Sequence, residues 1–227
     1  MITDYRKQSE LILTSQMDER INVIGCGALG SWVALFLLKM GFKNVHVYDY
    51  DVVEEHNLPN QMFKEYDIGT SKVEATKFLY MEMFNEKDTN YDRLKIHNVK
   101  VTKENAIALG GYTISCVDSM TARKELYEAM FLYGKSSLWI EGRIGLYGAY
   151  IYTLIDKTDI DTNKKYEGTL YEDTEAEVSA CGVSQTALPA AVNCASVMIM
   201  QLIEHICGRS VHWKLEYTIP DLVAMVE

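Results

Sequence analysis

Apolar residues in this chain fall into short, nearly continuous runs, separated by stretches in which they recur every third or fourth position. INVIGC (21–26) reads as a short buried strand. Glycines follow at once, then a helical pattern, ALGSWVALFLLKM, that Gly41 ends. NVHVYD (44–49) is a second strand. Its β-branched residues and abrupt acidic ending fit a parallel strand covered on both faces. An irregular polar loop occupies 51–70, and a helix is expected over 71–86. IHNVKV (96–101), YTISCV (112–117) and SLWIE (137–141) supply three more strands, with a helix starting near Met120. Strands alternating with helices imply right-handed crossovers and a mostly parallel sheet.

After Gly142 the pattern changes. GLYGAYIYTLI (145–155) alternates and predicts antiparallel strands. Residues 156–179 carry eight carboxylates against three lysines, which predicts a solvated loop. That loop opens a crossover over 156–185. A long apolar helix (186–206) and a short strand (212–218) close the chain, and residues 1–20 form a polar segment with a short helix over 5–14. The expectation is one α/β domain spanning 1–227. It is Rossmann-like, with a mostly parallel sheet flanked by helices and antiparallel strands in the C-terminal part.

Composition narrows the function. A hydrophobic content of 48% over 227 residues suffices for a full core. The formal charge of −10 argues against DNA or another nucleic-acid backbone as main partner. It leaves room for a nucleotide, whose phosphates are met locally by backbone amides and one or two cations. Five cysteines with no CxxC pair make neither a disulfide framework nor a zinc ribbon, so a reducing, cytoplasmic setting without zinc is expected. The N-terminus lacks the apolar stretch of a signal peptide. No uncharged run approaches the roughly 20 residues that cross a bilayer, so no membrane partner is expected.

Gly25-Cys26-Gly27-Ala28-Leu29-Gly30 lies between a strand and a helix. Such glycines let the turn close and bring backbone N–H groups to phosphate, where the helix N-terminus adds partial positive charge. Asp49 ends the next strand 19 residues after Gly30, placed to accept from both ribose hydroxyls. A tight turn without ligand and an NAD-binding dehydrogenase fit these residues too.

The next segment favours a different reading. The run from Asp49 through Asp51, Val53, Glu54, Asn57, Leu58 and Asn60 to Gln61 continues to Gly69-Thr70-Ser71-Lys72. It resembles the family of MoeB, ThiF and the ubiquitin-activating enzymes, whose pattern is D-x-D-x-V-(E)-x-x-N-L-x-R-Q followed by G-x-x-K. Val117-Asp118-Ser119, with Arg123 five residues on, extends the resemblance to about residues 20–210. The resemblance implies adenylation of a carboxylate by ATP and Mg²⁺. The expected substrate is the C-terminal glycine of a ubiquitin-like or sulfur-carrier protein, or a peptide, acted on by a homodimer.

Carried onto this chain, the Gly25–Gly30 turn (with Gly27 and Ala28) and Lys72 would hold the phosphates and Asp49 the ribose. Asp118 would hold Mg²⁺, with helix capping as its alternative. Asn57 and Gln61 would bond phosphate or ribose oxygens, and Asp51 would order the loop or assist the metal. Cys181, eight residues before Pro189, matches the offset of a cysteine that relatives carry over the adenylate. It would accept the acyl group, or else be an inert side chain. Cys26, Cys116, Cys194 and Cys207 are read as structural.

Two departures stand out. The family's arginine before Gln61 is Asn60 here, with Arg143 a candidate replacement if it is not a structural ion pair. The family's N-terminal phosphate cation, often supplied across a dimer interface, is matched by Arg6 or Lys7 within a short basic turn. Substitution at 60 also leaves open a nucleotide-binding module without catalysis. A ribosomal peptide precursor or a modified tRNA base are further possible carboxylates.

Overall fold

The computed structural model describes residues 4–84, 93–171, 186–221 and 223–227. One eight-stranded sheet runs in the order β3-β2-β1-β4-β5-β6-β7-β8. Its parallel part comprises β1 (Ile21–Ile24), β2 (Val45–Asp49), β3 (Leu94–Asn98), β4 (Gly111–Ser115) and β5 (Ser136–Ile144). From β5 onward the pairing is antiparallel through β6 (Gly148–Leu154), β7 (Lys214–Thr218) and β8 (Val223–Val226).

The strands divide their side chains between two cores. Val23, Val47, Ile114, Leu138, Ile140 and Ile151 face α1 (Gly30–Met40), α2 (Lys72–Phe84) and α6 (Leu188–Ile206). Ile24, Tyr48, Trp139 and Tyr152 face the other way. A short α3 (Lys103–Ala106), α4 (Met120–Leu126, continued by a π turn over Tyr127–Leu132) and α5 (Ile160–Glu167) cover that side. In α6, Cys194, Ala195, Met198 and Leu202 are fully buried at helical spacing. Each large side chain among them contributes about 1.5–3 kcal/mol by leaving water.

Four expectations shift. The solvated loop over 156–179 contains α5. Asp159 caps it by accepting from Thr162 N at 3.1 Å, and Tyr166 buries its ring against Tyr127 and Tyr152 while its hydroxyl accepts from Trp139 Nε1. The single helix over 5–14 is two 3₁₀ turns, Arg6–Gln8 and Thr14–Gln16. The third strand lies two to three residues earlier than 96–101, because Val99 N turns back to His97 O and Asp49 O. A last strand, β8, extends the sheet beyond 212–218. No helix among the described residues is long and apolar enough to cross a membrane.

Candidate nucleotide site

The strand order reverses between β1 and β4, where β2, β1 and β4 end side by side. Adjacent strands lie about 4.8 Å apart, so the ends of β2 and β4 bracket the glycine turn within roughly 10 Å. Open α/β sheets bind ligands in this crevice.

Local sterics explain the first and last glycines of the turn. Gly25 has φ +90°, and a Cβ there would meet Cys116 O at 2.9 Å. A Cβ on Gly30 would stand 1.9 Å from Gly25 O. Gly27 differs: nothing lies within 4 Å of where its Cβ would be. The fold does not demand glycine at 27, whereas a group brought close to the backbone would. Ala28 sits in the same turn, ahead of α1.

Asp49 wires this turn to the next loop. Its Oδ2 accepts from Cys26 N at 2.6 Å and its Oδ1 from Asp51 N at 2.8 Å. A carboxylate has about four acceptor positions, so two remain for hydroxyl donors. Asp51 in turn pairs through Oδ2 with Lys72 Nζ at 2.9 Å, and Asp51 O accepts from Lys72 N at 2.9 Å. Lys72 is brought back to the 50s loop by a bridge between Val52 and Ser71. Asn57 is buried and accepts from Glu54 N at 2.9 Å, which orders the 3₁₀ turn Glu55–Asn57. A cavity of about 350 Å³ opens here, lined by Tyr50, Asp51, Glu54, His56, Asn57 and Lys72. Tyr50 and His56 fall on positions that the motif leaves open, so the pattern alone does not point to them.

Asp118 stands exposed just past β4, immediately before Ser119, whose hydroxyl accepts from Ala122 N to cap α4. Capping therefore falls to Ser119 and not to Asp118. A magnesium ion carried with a nucleotide needs only one or two carboxylates, the phosphates and water supplying the rest. Asp118 fits that requirement. Among the described residues no group of three or more His, Cys, Asp or Glu forms a protein-only metal cage.

Other expected residues are placed elsewhere. Asn60 donates from Nδ2 to Thr186 Oγ1 at 2.8 Å; its Oδ1 and Gln61 Oε1 are buried without a hydrogen-bond partner among the described residues. Trp32 and Thr186, both absent from the sequence-based site, hold Asn60 from either side: Trp32 Nε1 donates to Asn60 O at 3.0 Å. Arg143 is engaged by Glu141 Oε1 at 2.5 Å and by Thr169 O and Oγ1 at 2.8 and 3.0 Å, the structural ion pair that was its other reading. Arg6 projects into solvent and pairs with Asp4 at 2.7 Å. Its neighbour Tyr5 packs on Gly41, at the far end of α1 from the glycine turn. An 11-residue helix is about 16 Å long, so Arg6 stands away from the site of its own chain. Cys181 lies outside the described residues. Cys26 is buried and its thiol is pushed up to about 12 by burial; burial likewise raises Cys116 and Cys194, which suits structural roles.

The parallel sheet, its flanking helices and the glycine turn between β1 and α1 define a Rossmann-type domain. Comparison places it further: the chain belongs to the ThiF family, matched over residues 11–225. It is 32% identical over 134 residues to the adenylyltransferase and sulfurtransferase MOCS3 of Anopheles gambiae, covering 55% of this chain and 29% of that protein. The chain thus matches under a third of that relative's length. Among solved structures, E. coli MccB with MccA superimposes with TM-score 0.75 at 14% identity, covering 100% of this chain and 72% of that one. The E. coli tRNA N6-threonylcarbamoyladenosine dehydratase TcdA, in complex with ATP, gives TM-score 0.67 at 19% identity, covering 92% and 97%. These two likenesses establish the fold.

Proposed function

We propose that this chain adenylates a carboxylate with ATP, the substrate being the C-terminal glycine of a ubiquitin-like or sulfur-carrier protein. The observation that supports the reading is the continuous chain Cys26 N–Asp49–Asp51–Lys72, which ties a cation and a buried carboxylate to the glycine turn. Family membership supports it.

In the reaction a carboxylate oxygen attacks the α-phosphorus of ATP. The new P–O bond forms as the α–β bridging bond breaks, and pyrophosphate leaves with the electron pair. Backbone N–H groups of the Gly25–Gly30 turn and Lys72 Nζ stabilise the charge developing on phosphate oxygens, a task donors fixed in advance perform without reorganising. Asp49 orients the ribose, and Asn57 and Gln61 bond phosphate or ribose oxygens. Asp118 would hold Mg²⁺, which supplies neutralisation of phosphate charge. Cys181 is the proposed acceptor of the acyl group: its thiolate would form a thioester as the acyl–phosphate bond breaks and AMP leaves. A homodimer would bring Arg6 of one copy to the phosphates of the other, consistent with its distance from its own site. The cytoplasm is the proposed compartment.

Two other readings stay in view. MccB and TcdA share the fold, so a peptide or modified-tRNA carboxylate is the first. Asn60, which removes a cation, favours the second, a nucleotide-binding module without catalysis. Pyrophosphate–ATP exchange with glycine-tailed carriers, short peptides and tRNA separates them. Exchange with a carrier supports the proposal; none with any substrate, alongside intact ATP binding, leaves the binding module.

A further inference from the structure

We infer that Asn60 is a positioning residue of this site, tying the nucleotide loop to the entrance of α6 instead of contacting phosphate. The inference rests on the adenylation reading and concerns how the site is held. Phosphate oxygens at neutral pH are acceptors and call for donors, preferably charged ones. Asn60 is neutral, and its recorded side-chain donor bond goes to Thr186 Oγ1 at 2.8 Å, across 126 positions of sequence. One N–H of its amide is thus committed to Thr186, and its Oδ1, an acceptor that repels phosphate oxygens, is buried with no hydrogen-bond partner among the described residues. Its backbone is fixed as well, since Asn60 O accepts from Trp32 Nε1 at 3.0 Å.

Trp32 lies in the first turn of α1, whose N-terminus borders the glycine turn, and Thr186 stands two residues before α6 begins. Asn60 therefore joins three elements at one point: the helix that faces the phosphates, the loop leading to Lys72, and the helix that closes the fold. Shifting Thr186 would shift the loop. The arginine of the family pattern has not been replaced in kind; its position has been given to bracing the site.

Isothermal titration of Mg-ATP into the parent chain, Asn60→Ala, Thr186→Val, the double variant and Thr186→Ser tests this. Each of Asn60→Ala and Thr186→Val should weaken binding about fivefold, the worth of one neutral hydrogen bond. The double variant should bind no worse than either single one, and Thr186→Ser, which keeps the hydroxyl, should bind as the parent does. Weakening by Asn60→Ala with Thr186→Val unaffected would make Asn60 a direct ligand contact and overturn the inference. So would parental binding by all four variants.

A second measurement needs no nucleotide. In ¹⁵N-labelled protein the Asn60 side-chain amide signal, identified by its loss in Asn60→Ala, should move in Thr186→Val; an unmoved signal also overturns the inference. A parent chain that fails to bind Mg-ATP would defeat the adenylation reading and the positioning role together. Mg-ATP binding with an unmoved amide would defeat the positioning role alone.

Discussion

Two charge clusters sit at the carboxyl edge of the sheet and are built in opposite ways. At the nucleotide loop, Lys72 has only 9% of its side chain exposed while its partner Asp51 has 49% exposed. At β5, Glu141 is fully buried between Arg123 at 3.1 Å and Arg143 at 2.5 Å, and Tyr166 Oη donates to its second oxygen. Arg123 also donates to Gly142 O at 3.0 Å, and Arg143 reaches Thr169. The first cluster has one wet partner that can be exchanged for another anion. The second is dry, and its members hold α4, β5 and the end of α5 together. One arrangement suits ligand exchange, the other a fixed frame.

The sharpest break in that comparison is Glu141→Ala. It leaves two guanidinium groups buried without their shared carboxylate, and removing one partner from a buried pair costs about 3–5 kcal/mol. Urea unfolding should show a correspondingly lower midpoint, or no cooperatively folded protein. A loss under about 1 kcal/mol would mean that this cluster is as replaceable as a surface pair. Lys72→Ala comes next and acts on the reaction. Removing one pre-aligned electrostatic group costs about 10²–10³-fold in kcat, so pyrophosphate exchange should fall by that factor while the urea midpoint stays near the parent's. Exchange at the parental rate would remove Lys72 from the phosphates.

The glycine turn, Asp49 and Lys72 were readable because the residues they need are close in sequence and fixed in spacing. The parallel strands were readable because both faces are buried, as in Val45–Asp49, where every residue is buried. The rest depended on partners far away in the chain. In α5 the buried positions are only Asn163 and Tyr166, too few to show through the surrounding charge. Thr186 gave no local sign that it would meet Asn60, and Trp32 looked like one more apolar residue of α1. Arg6 could be matched to a motif, but its position beyond the C-terminal end of α1 followed from Tyr5 packing on Gly41.

The smallest effect, and the finest discriminator, is Asp51→Asn. Both backbone contacts persist, Asp51 N to Asp49 and Asp51 O from Lys72 N, and an amide oxygen can still accept from Lys72 Nζ. The lost ion pair is half in solvent, so stability should change by less than about 1 kcal/mol. Binding separates two jobs for the carboxylate. If Asp51 only parks Lys72, removing its charge frees the lysine, and ATP binds as well or more tightly whether or not Mg²⁺ is present. If Asp51 assists the metal, affinity drops in Mg²⁺ and is spared in chelator. Titrating ATP under both conditions decides between them, and a drop confined to Mg²⁺ would place the wet partner of the first cluster among the groups that act on the nucleotide.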